Sequence, residues 1–295
     1  MCTIQPFLSR PMSTSSEICI SLGSMKQSEI PTARHIRRRI LEMSYAGQSV
    51  HIPSAYSLVE ILRVLHEKHL RYPGNSPSSI DRDFLCLSKG HGVMALYPIL
   101  EARGWIQRED LDNYFSDGSR LPGLCEAAVP GCEVNTGSLG HGIGVAVGYA
   151  FGSRMKGSEQ RVFSVVGDGE MNEGSVWEAL MFAGFHKLSN FTLVIDQNSF
   201  QAMGATSEIL AAENLERALH SFGFEVVVIN GHSELDLDNS ILTHREEARP
   251  RPLAIIAKTV KGKGVSFMEN VNSWHYTRLD LETYSAALKE LGFSK

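Results

Sequence analysis

The chain has 295 residues, of which 43% are hydrophobic and 21% are charged, a composition typical of folded globular proteins and unlike that of disordered or disulfide-rich chains. This length allows either two average domains or one large α/β domain. The formal net charge of -5 provides no basic surface for nucleic acid, and no apolar run approaches the roughly 20 residues of a membrane helix. We therefore expect a soluble protein that binds neither nucleic acid nor membrane.

The amino-terminal segment and the cysteines bear on processing and location. Residues 1–28 contain seven serines and no apolar core of a signal peptide, so we expect a disordered leader followed by one folded domain over residues 29–295. The five cysteines include no Cys-x-x-Cys pair, which is typical of a reducing compartment. The sequence therefore predicts a cytoplasmic protein.

A helix is predicted at the start of the domain. From Pro31 onward, Ile36, Ile40 and Met43 recur at helical spacing, which indicates one buried face. Three consecutive arginines, Arg37 to Arg39, are predicted on the solvated side of this helix.

A second helical pattern runs from about Ser57 to Leu70 and ends before a Tyr72-Pro73-Gly74 turn. His66 and His69 lie on it, three residues apart. The zinc signature His-Glu-x-x-His has a spacing of about four residues. We therefore predict that these two histidines face solvent and bind no metal.

The central part of the chain alternates strands and helices. A strand at Val162–Val166, a turn at Gly167–Glu170, a helix over Glu173–Phe185 and a strand at Phe191–Ile195 form a predicted βαβ unit. Further elements are strands at Glu225–Ile229 and Leu253–Ala257, both predicted to be buried, and helices near Ala211–Phe222 and Leu281–Leu291. The predicted fold class is α/β, with a doubly wound, mainly parallel sheet flanked by helices.

Two polar side chains follow the two strands of this βαβ unit. Asp168 comes directly after the first strand, and Asn198, 30 residues later, follows the second. Because the carboxyl ends of parallel strands share one edge of the sheet, we expect both to lie close together. Their oxygens suit Mg²⁺ or Ca²⁺ beside a phosphate, and Gly167 and Gly169 allow backbone amides to approach it.

A Gly-Asp-Gly turn alone is common, and nucleotide-binding alternatives are weak. The chain has no Gly-x-x-x-x-Gly-Lys-Ser/Thr loop. The Gly137–Gly148 run lacks the spacing of the dinucleotide fingerprint, because valines stand where glycine or alanine is needed.

Longer motifs carry a resemblance. The segment GDGEMNEGSVWEALMFAGFHKLSNFTLVIDQNSFQAMG resembles the thiamine-diphosphate signature of the transketolase family. Further matching segments are Ser88-Lys89-Gly90-His91-Gly92, Asn135-Thr136-Gly137-Ser138-Leu139-Gly140, and IIAKTVKGKGVSFMEN with Trp274-His275. Together they cover roughly residues 32–293.

The resemblance implies roles for individual residues. A metal ion, Mg²⁺ with Ca²⁺ or Mn²⁺ as substitutes, would be held by Asp168, Asn198 and the main-chain carbonyl of Phe200. Thiamine diphosphate would contact His91, Gly137, Ser138, Leu139, Gly169, Asn198 and His275. His275 and His51 would assist proton transfers as catalytic residues. Glu173 matches a glutamate that couples the two active sites across a dimer interface in the family.

Three positions depart from the family pattern. Leu124 stands where a histidine normally grips the hydroxyls of the donor sugar. His141 replaces a glutamine, so it could compensate for that loss or simply pack. Tyr276 follows His275 in place of the usual glycine. The donor therefore need not be a standard ketose phosphate.

The resemblance also implies that a second domain of the enzyme lies on another chain. In the family, the cofactor's aminopyrimidine is activated by a glutamate on a separate pyrimidine-binding domain. Only 36 residues follow Thr259, which is too few for that domain. We therefore predict the amino-terminal subunit of a two-polypeptide transketolase, inactive alone, whose carboxy-terminal partner completes a dimer of heterodimers.

The main functional prediction is transfer of a two-carbon ketol unit from a ketose to an aldose. Two alternatives remain at this point. One is a component that uses a 2-oxo acid and transfers an acyl or hydroxyacyl group, which the loss of the histidine at Leu124 allows. The other is a non-catalytic cofactor-binding scaffold, for which the complete Asp168, Asn198 and His91 set would be unnecessary.

Overall fold

The computed structural model describes residues 29–210 and 214–293; the predicted leader lies outside them. In chain order the elements are α1 Ala33–Gly47, α2 Ile52–Tyr56, α3 Val59–Val64, β1 Phe84–Leu87, α4 Tyr97–Ala102, α5 Arg108–Asp112, α6 His141–Met155, β2 Val162–Gly167, α7 Gly174–Phe185, β3 Phe191–Gln197, β4 Phe200–Gln201, β5 Gly204–Ala205, α8 Thr206–Ile209, α9 Leu215–Ser221, β6 Glu225–Asn230, α10 Glu234–Glu246, β7 Leu253–Lys258 and α11 Leu281–Glu290. Short 3₁₀ turns occupy Gly90–Ala95, Gly169–Asn172 and Asn272–His275.

A five-stranded parallel sheet organises the molecule. Its strand order is β1-β2-β3-β7-β6, and all four neighbouring pairs are parallel. Apolar side chains form one core on each face of the sheet: α1 to α5, α10 and α11 contribute to the first, and α6, α7 and α9 to the second. This arrangement agrees with the predicted fold class.

The predicted βαβ unit places its two strand ends side by side. Strand β2 pairs with β3 in parallel, and Gly167 is in register with Asp196. The loops that follow the two strands, which carry Asp168 and Asn198, therefore leave the same edge of the sheet.

The arginines of α1 do not all face solvent, contrary to the prediction. Arg37 and Arg39 are buried, and Arg38 is exposed. The Arg37 guanidinium makes two hydrogen bonds, of 2.7 and 2.8 Å, to the Glu60 carboxylate. A helix that is packed on several sides can bury an arginine when a carboxylate pairs with it. Without such a partner, the buried charge would be costly.

The two histidines after α3 are also buried, so the prediction of a solvated face is wrong. Arg103 donates to His66 Nδ1 over 3.2 Å. His69 Nε2 lies 3.1 Å from an oxygen of Asp238 on α10, and Arg245 contacts its Nδ1. These partners lie far away in the sequence, so the local pattern could not reveal them. Within the described residues, no group of three or more potential metal ligands is found.

Strand predictions differ from the structure in two places. β6 is an edge strand with no fully buried residue, whereas a buried strand was expected. β1 was not predicted, because its four residues are too short a run to stand out from the polar segment before them. Within the described residues, no helix is both long and apolar enough to cross a membrane.

Candidate functional site

A cavity of about 190 Å³ opens at the carboxyl edge of β2 and β3. Its walls come from the loops after β1, β2, β3 and β7, from the loop before α6 and from α2. The lining residues are Ser54, Lys89, His91, Leu139, Gly167, Asp168, Gly169, Glu170, Asn198, Phe200, Gln201, Ala202, Lys261, His275 and Tyr276. Sequence segments separated by more than 200 residues therefore meet in one small volume.

Asp168 presents a carboxylate at the end of β2. One oxygen accepts a hydrogen bond from the Gly169 N–H over 2.9 Å, and the other accepts from the Ser199 N–H over 2.5 Å. Burial first, and the nearby Asp196 carboxylate second, raise the pKa of Asp168 to about 6. A carboxylate with such a raised pKa carries a negative charge that the protein itself does not fully neutralise.

Asn198 is buried at the end of β3, beside Asp168. Its amide oxygen accepts a hydrogen bond from the Phe200 N–H over 3.1 Å, and its amide nitrogen donates to Asp196 over 3.3 Å. The loop turns sharply at Ser199, whose φ is 67°. The turn keeps the Phe200 backbone next to the cavity.

This donor set fits a divalent cation. Within the described residues, Asp168 forms no ion pair with a basic side chain, although its carboxylate is largely removed from water. A carboxylate oxygen, an amide oxygen and a backbone carbonyl are hard ligands of the kind that Mg²⁺ binds together with phosphate oxygens. A cation at this place would offset the negative charges of Asp168 and Asp196 and so lower the pKa of Asp168.

A buried ion pair lies below Asp168 and Asn198. Lys89 Nζ is 2.5 Å from Asp196 Oδ2, and the Ser57 hydroxyl donates to the same oxygen over 2.6 Å. The Thr259 hydroxyl bonds to the other oxygen. Burial by itself would raise the pKa of Asp196, but Lys89 and the two hydroxyls hold it below its ordinary value. Asp196 in turn fixes the Asn198 amide.

Glu170 joins three of the loops that form the cavity. Its buried carboxylate accepts hydrogen bonds from the Ser88 hydroxyl, the Gly140 N–H over 2.9 Å and the Gly167 N–H over 3.3 Å. These partners belong to the loop after β1, to the residue before α6 and to the end of β2. One side chain therefore sets the mutual positions of these segments.

Two glycines are required by close contacts. A Cβ at Gly169 would lie 2.8 Å from Gln201 Cβ. At Gly137, φ is 141°, and a Cβ would lie 2.6 Å from a methyl carbon of Leu124. Leu124, the residue that replaces the expected histidine, therefore packs directly on the glycine loop before α6.

Three histidines and a tyrosine form a ring cluster at the cavity. The His51 ring centroid is 4.8 Å from that of His91, 5.0 Å from that of His275 and 5.3 Å from that of Tyr276. The His51 N–H also donates to the His275 carbonyl over 3.2 Å. The cluster brings together side chains from the segment before α2, the turn after β1 and the segment before α11.

These imidazoles are neutral at pH 7. Burial lowers the pKa of His51 to about 4, helped by the positive charge that His91 and Lys261 would add. Burial and Lys261 lower the pKa of His275 to about 3. Burial, followed by Lys89, also lowers the pKa of His91. Neutral rings can donate or accept one proton each, which suits them to proton transfer.

The structure brings most of the predicted site residues together. His91, Leu139, Asp168, Gly169, Asn198, Phe200 and His275 line the cavity. His51 contacts two of its histidines, and Gly137 lies behind Leu124, next to Leu139. Ser138 is exposed and is not among the lining residues.

His141 and Glu173 both lie outside the lining of the cavity. His141 is exposed on the outer face of α6 and α7 and does not line the cavity, so it does not replace the missing histidine within this chain. Glu173 precedes α7, is exposed, and lies against Gly140.

Four charged residues in or below the cavity were missed by sequence reasoning: Lys89, Glu170, Asp196 and Lys261. All four are buried. Lys89 and Glu170 stand next to residues that were singled out, and a charged residue inside an apolar strand such as Asp196 is a signal for a buried functional network. Their partners, however, come from distant segments.

Comparison with known proteins identifies the class to which this fold and site belong. The family described as "Transketolase, thiamine diphosphate binding domain" matches residues 29–295. The chain therefore belongs to the transketolase family and contains its thiamine-diphosphate-binding domain.

Two similar proteins of about the same length are named as transketolase subunits. An apulose-4-phosphate transketolase subunit of Phocaeicola vulgatus is 37% identical over 257 residues, which cover 86% of this chain and 90% of that protein. A 6-deoxy-6-sulfo-D-fructose transketolase subunit of a Clostridium species is 36% identical over 82% of this chain and 88% of that protein.

A solved structure shows the same fold in a longer protein. The transketolase of Campylobacter jejuni superposes with a TM-score of 0.82 at 32% identity, covering 88% of this chain and 42% of that chain. The prediction of an amino-terminal subunit of a thiamine-diphosphate-dependent transketolase is thereby confirmed.

Proposed function

We propose that this chain binds thiamine diphosphate and Mg²⁺ and, together with a second chain, transfers a two-carbon ketol unit from a ketose to an aldose. The observation that carries this proposal is the meeting of the Asp168 and Asn198 oxygens with the His51, His91 and His275 cluster around one cavity. A cation-phosphate end and a proton-transfer end within one site suit chemistry at a carbonyl group.

In this proposal the metal end binds and orients the cofactor. Asp168, Asn198 and the Phe200 carbonyl hold Mg²⁺, and Gly169 leaves room for phosphate oxygens beside the backbone. Asp196 and Lys89 keep the Asn198 amide oriented. When bound, thiamine diphosphate supplies a nucleophilic carbon for attack on the donor carbonyl.

The histidine end manages protons. His275 and His51 are neutral, so each can hydrogen-bond to a hydroxyl or carbonyl oxygen and move one proton without first losing a charge. Both rings are partly removed from water, and lower exposure to water strengthens these interactions. His91 packs against His51 and fixes the cluster.

The donor in this proposal is a ketose that carries an anionic group. Two similar subunits are named for such sugars, one a phosphate and one a sulfo compound. Leu124, which packs on Gly137, stands where the family has a histidine, so this site lacks one polar group. This keeps a 2-oxo acid donor as a second candidate. The proposed location is the cytoplasm, because the cysteine pattern is typical of a reducing compartment.

The partner chain, in this proposal, covers the mouth of the cavity and supplies the activating carboxylate. Apolar side chains are exposed at or next to residues of its lining: Met203 at 81% and Tyr276 at 60%. Exposed apolar groups next to a binding site are typical of an interface. The names of the similar proteins, which call each of them one subunit of a transketolase, support the existence of a second chain.

A second copy of the heterodimer, in this proposal, docks on the outer face of α6 and α7. This face exposes Phe185 at 81%, together with Val145, Tyr149, Met181 and Phe182. Gly144, Gly148 and Gly152 allow another helix to approach closely, since nothing lies near their open sides. Glu173 lies at the end of this face that is nearest the cavity, where it could reach the other copy.

The proposed reaction is tested with the two chains copurified. With thiamine diphosphate and Mg²⁺, the complex is assayed with xylulose 5-phosphate or fructose 6-phosphate as donor and an aldose phosphate as acceptor, and separately with pyruvate. Ketol transfer with loss of activity in Asp168→Ala supports the proposal. Turnover of pyruvate alone favours the acyl-transfer alternative, and cofactor binding without turnover of either kind of donor favours a non-catalytic scaffold.

A further inference from the structure

Lys261 is a buried cation whose hydrogen-bond contacts are all neutral. It is 1% exposed, and within residues 29–210 and 214–293 it forms no ion pair. Its Nζ lies 2.9 Å from His275 Nδ1, 3.3 Å from Asn272 Oδ1 and 3.4 Å from the Gln201 carbonyl oxygen. An ammonium group has three N–H donors and no acceptor. Three acceptors therefore surround three donors.

We propose that Lys261 is a positioning residue that fixes His275 in the tautomer with its proton on Nε2. Because an ammonium group can only donate, Nδ1 has to be the unprotonated, accepting nitrogen of a neutral ring. The opposite tautomer would place two N–H groups against each other. The proposal deepens the proposed function, on which its consequence for the substrate rests.

The charge states of both groups agree with this geometry. Burial and Lys261 lower the pKa of His275 to about 3, so the ring carries one proton at pH 7. Burial, followed by Lys89, lowers the pKa of Lys261 to about 8, which leaves it mainly protonated at pH 7. The alternative, a neutral amine that accepts from Nδ1–H, is the minor state.

The tautomer determines what His275 offers to a ligand. Within the described residues, Nε2 has no hydrogen-bond partner, and His275 lines the cavity. An Nε2–H group presented to the cavity donates to an oxygen atom, and the bond strengthens as negative charge develops on that oxygen. A lone pair on Nε2 would instead repel a carbonyl or alkoxide oxygen. Lys261 thus selects the side of His275 that favours a sugar oxygen.

The tautomer is measured directly by magic-angle-spinning ¹⁵N NMR at pH 7. This chain is labelled at its histidine nitrogens, assembled with unlabelled partner, and His275→Gln assigns the signals. We expect a pyridine-type Nδ1 and a pyrrole-type Nε2 for His275. A protonated Nδ1 would overturn the proposal, and this spectrum of the unmutated protein decides even where a variant fails to fold.

Variants separate positioning from simple charge. Lys261→Met should increase the population of the Nδ1–H tautomer at least tenfold and lower kcat in proportion to the loss of the Nε2–H tautomer. Lys263→Met, a lysine of the same segment that contacts Glu269, should change neither. Lost activity with an unchanged tautomer in Lys261→Met would contradict the proposal and assign the lysine to charge neutralisation.

The two proposals fail in different ways. The spectra are recorded without substrate, so they report the tautomer whether or not the complex transfers a ketol unit. An inactive wild-type complex with a pyridine-type Nδ1 would contradict only the proposed function. An active complex with a protonated Nδ1 would contradict only the positioning role of Lys261.

Discussion

Asp168 shows how one residue combines a structural environment with a functional prediction. It accepts two backbone hydrogen bonds at the end of β2 and carries a charge that the protein leaves largely unneutralised. Asp168→Ala should therefore abolish Mg²⁺-dependent binding of thiamine diphosphate while the fold remains. Calorimetric titration of the complex with its partner measures this, with the exposed Asp117→Ala as control. Unchanged affinity in Asp168→Ala would remove the metal assignment.

The same carboxylate predicts a pH dependence. Burial and Asp196 raise the pKa of Asp168 to about 6. A proton and a cation compete for this group, so Mg²⁺ affinity should be nearly full at about pH 7 and decrease by about tenfold at about pH 5. Titrations across this range, corrected for the titration of the cofactor's own diphosphate in buffer, measure the decrease. A flat profile would show that Asp168 is not the competing group.

Leu124 carries a prediction about specificity. It packs on Gly137. In the family, a histidine stands at the position of Leu124 and contacts the donor. Leu124→His should raise kcat/KM for a ketose phosphate by about tenfold, because a hydrogen bond worth about 1.4 kcal/mol corresponds to that factor. Steady-state kinetics with xylulose 5-phosphate measure the change, with Leu124→Ala as the control for space alone. A loss of kcat/KM would indicate a reshaped pocket.

At the scale of elements, Glu170 links the loops after β1 and β2 with the start of α6. Glu170→Ala leaves the Ser88 hydroxyl and two backbone N–H groups without their partner. The free energy of unfolding should decrease by at least about 3 kcal/mol, since three buried donors lose their partner and each costs about 1–3 kcal/mol. Urea unfolding measures it. The exposed Glu178→Ala on α7 should change it by less than about 0.5 kcal/mol, and equal effects would contradict the linking role.

The elements also show what a sequence can reveal. The apolar strands and the one-crossover spacing predicted that Asp168 and Asn198 share a sheet edge, and the register of β2 and β3 agrees. The burial of His66 and His69 was not predictable from local pattern, because Arg103, Asp238 and Arg245 lie elsewhere in the chain. Periodicity reports one face of a helix, whereas burial depends on every element that packs against it.

The same reasoning explains the missed site residues. Lys261 belongs to a motif that the sequence analysis quoted. Its contacts with Asn272 and His275 form only because the chain after β7 folds back and brings these residues next to it. Lys89 and Asp196 lie 107 residues apart and form one buried pair. Motifs predicted residues that line the cavity, and only the fold revealed the buried charges beside them.

At the scale of the whole molecule, the site is open on one side and bordered by apolar groups. Met203 and Tyr276 are exposed near the mouth of the cavity, and Phe185 is exposed on the α6/α7 face. Two separate exposed apolar regions are consistent with two different contacts, one to a partner chain and one to a second copy. Each of them would remove apolar surface from water on assembly.

The last prediction is that this chain alone, with thiamine diphosphate and Mg²⁺, shows no ketol transfer, because no group assigned within it activates the cofactor's aminopyrimidine. Mixed with its partner, it should turn over substrate and sediment as a dimer of heterodimers. Phe185→Asp should reduce that assembly to a single heterodimer by burying a charge in the α6/α7 contact, while the exposed Glu246→Ala on α10 leaves it intact. Sedimentation velocity and a coupled activity assay measure both. Robust transfer by the homogeneous single chain would contradict the two-subunit proposal, since the activating carboxylate would then have to lie within these 295 residues.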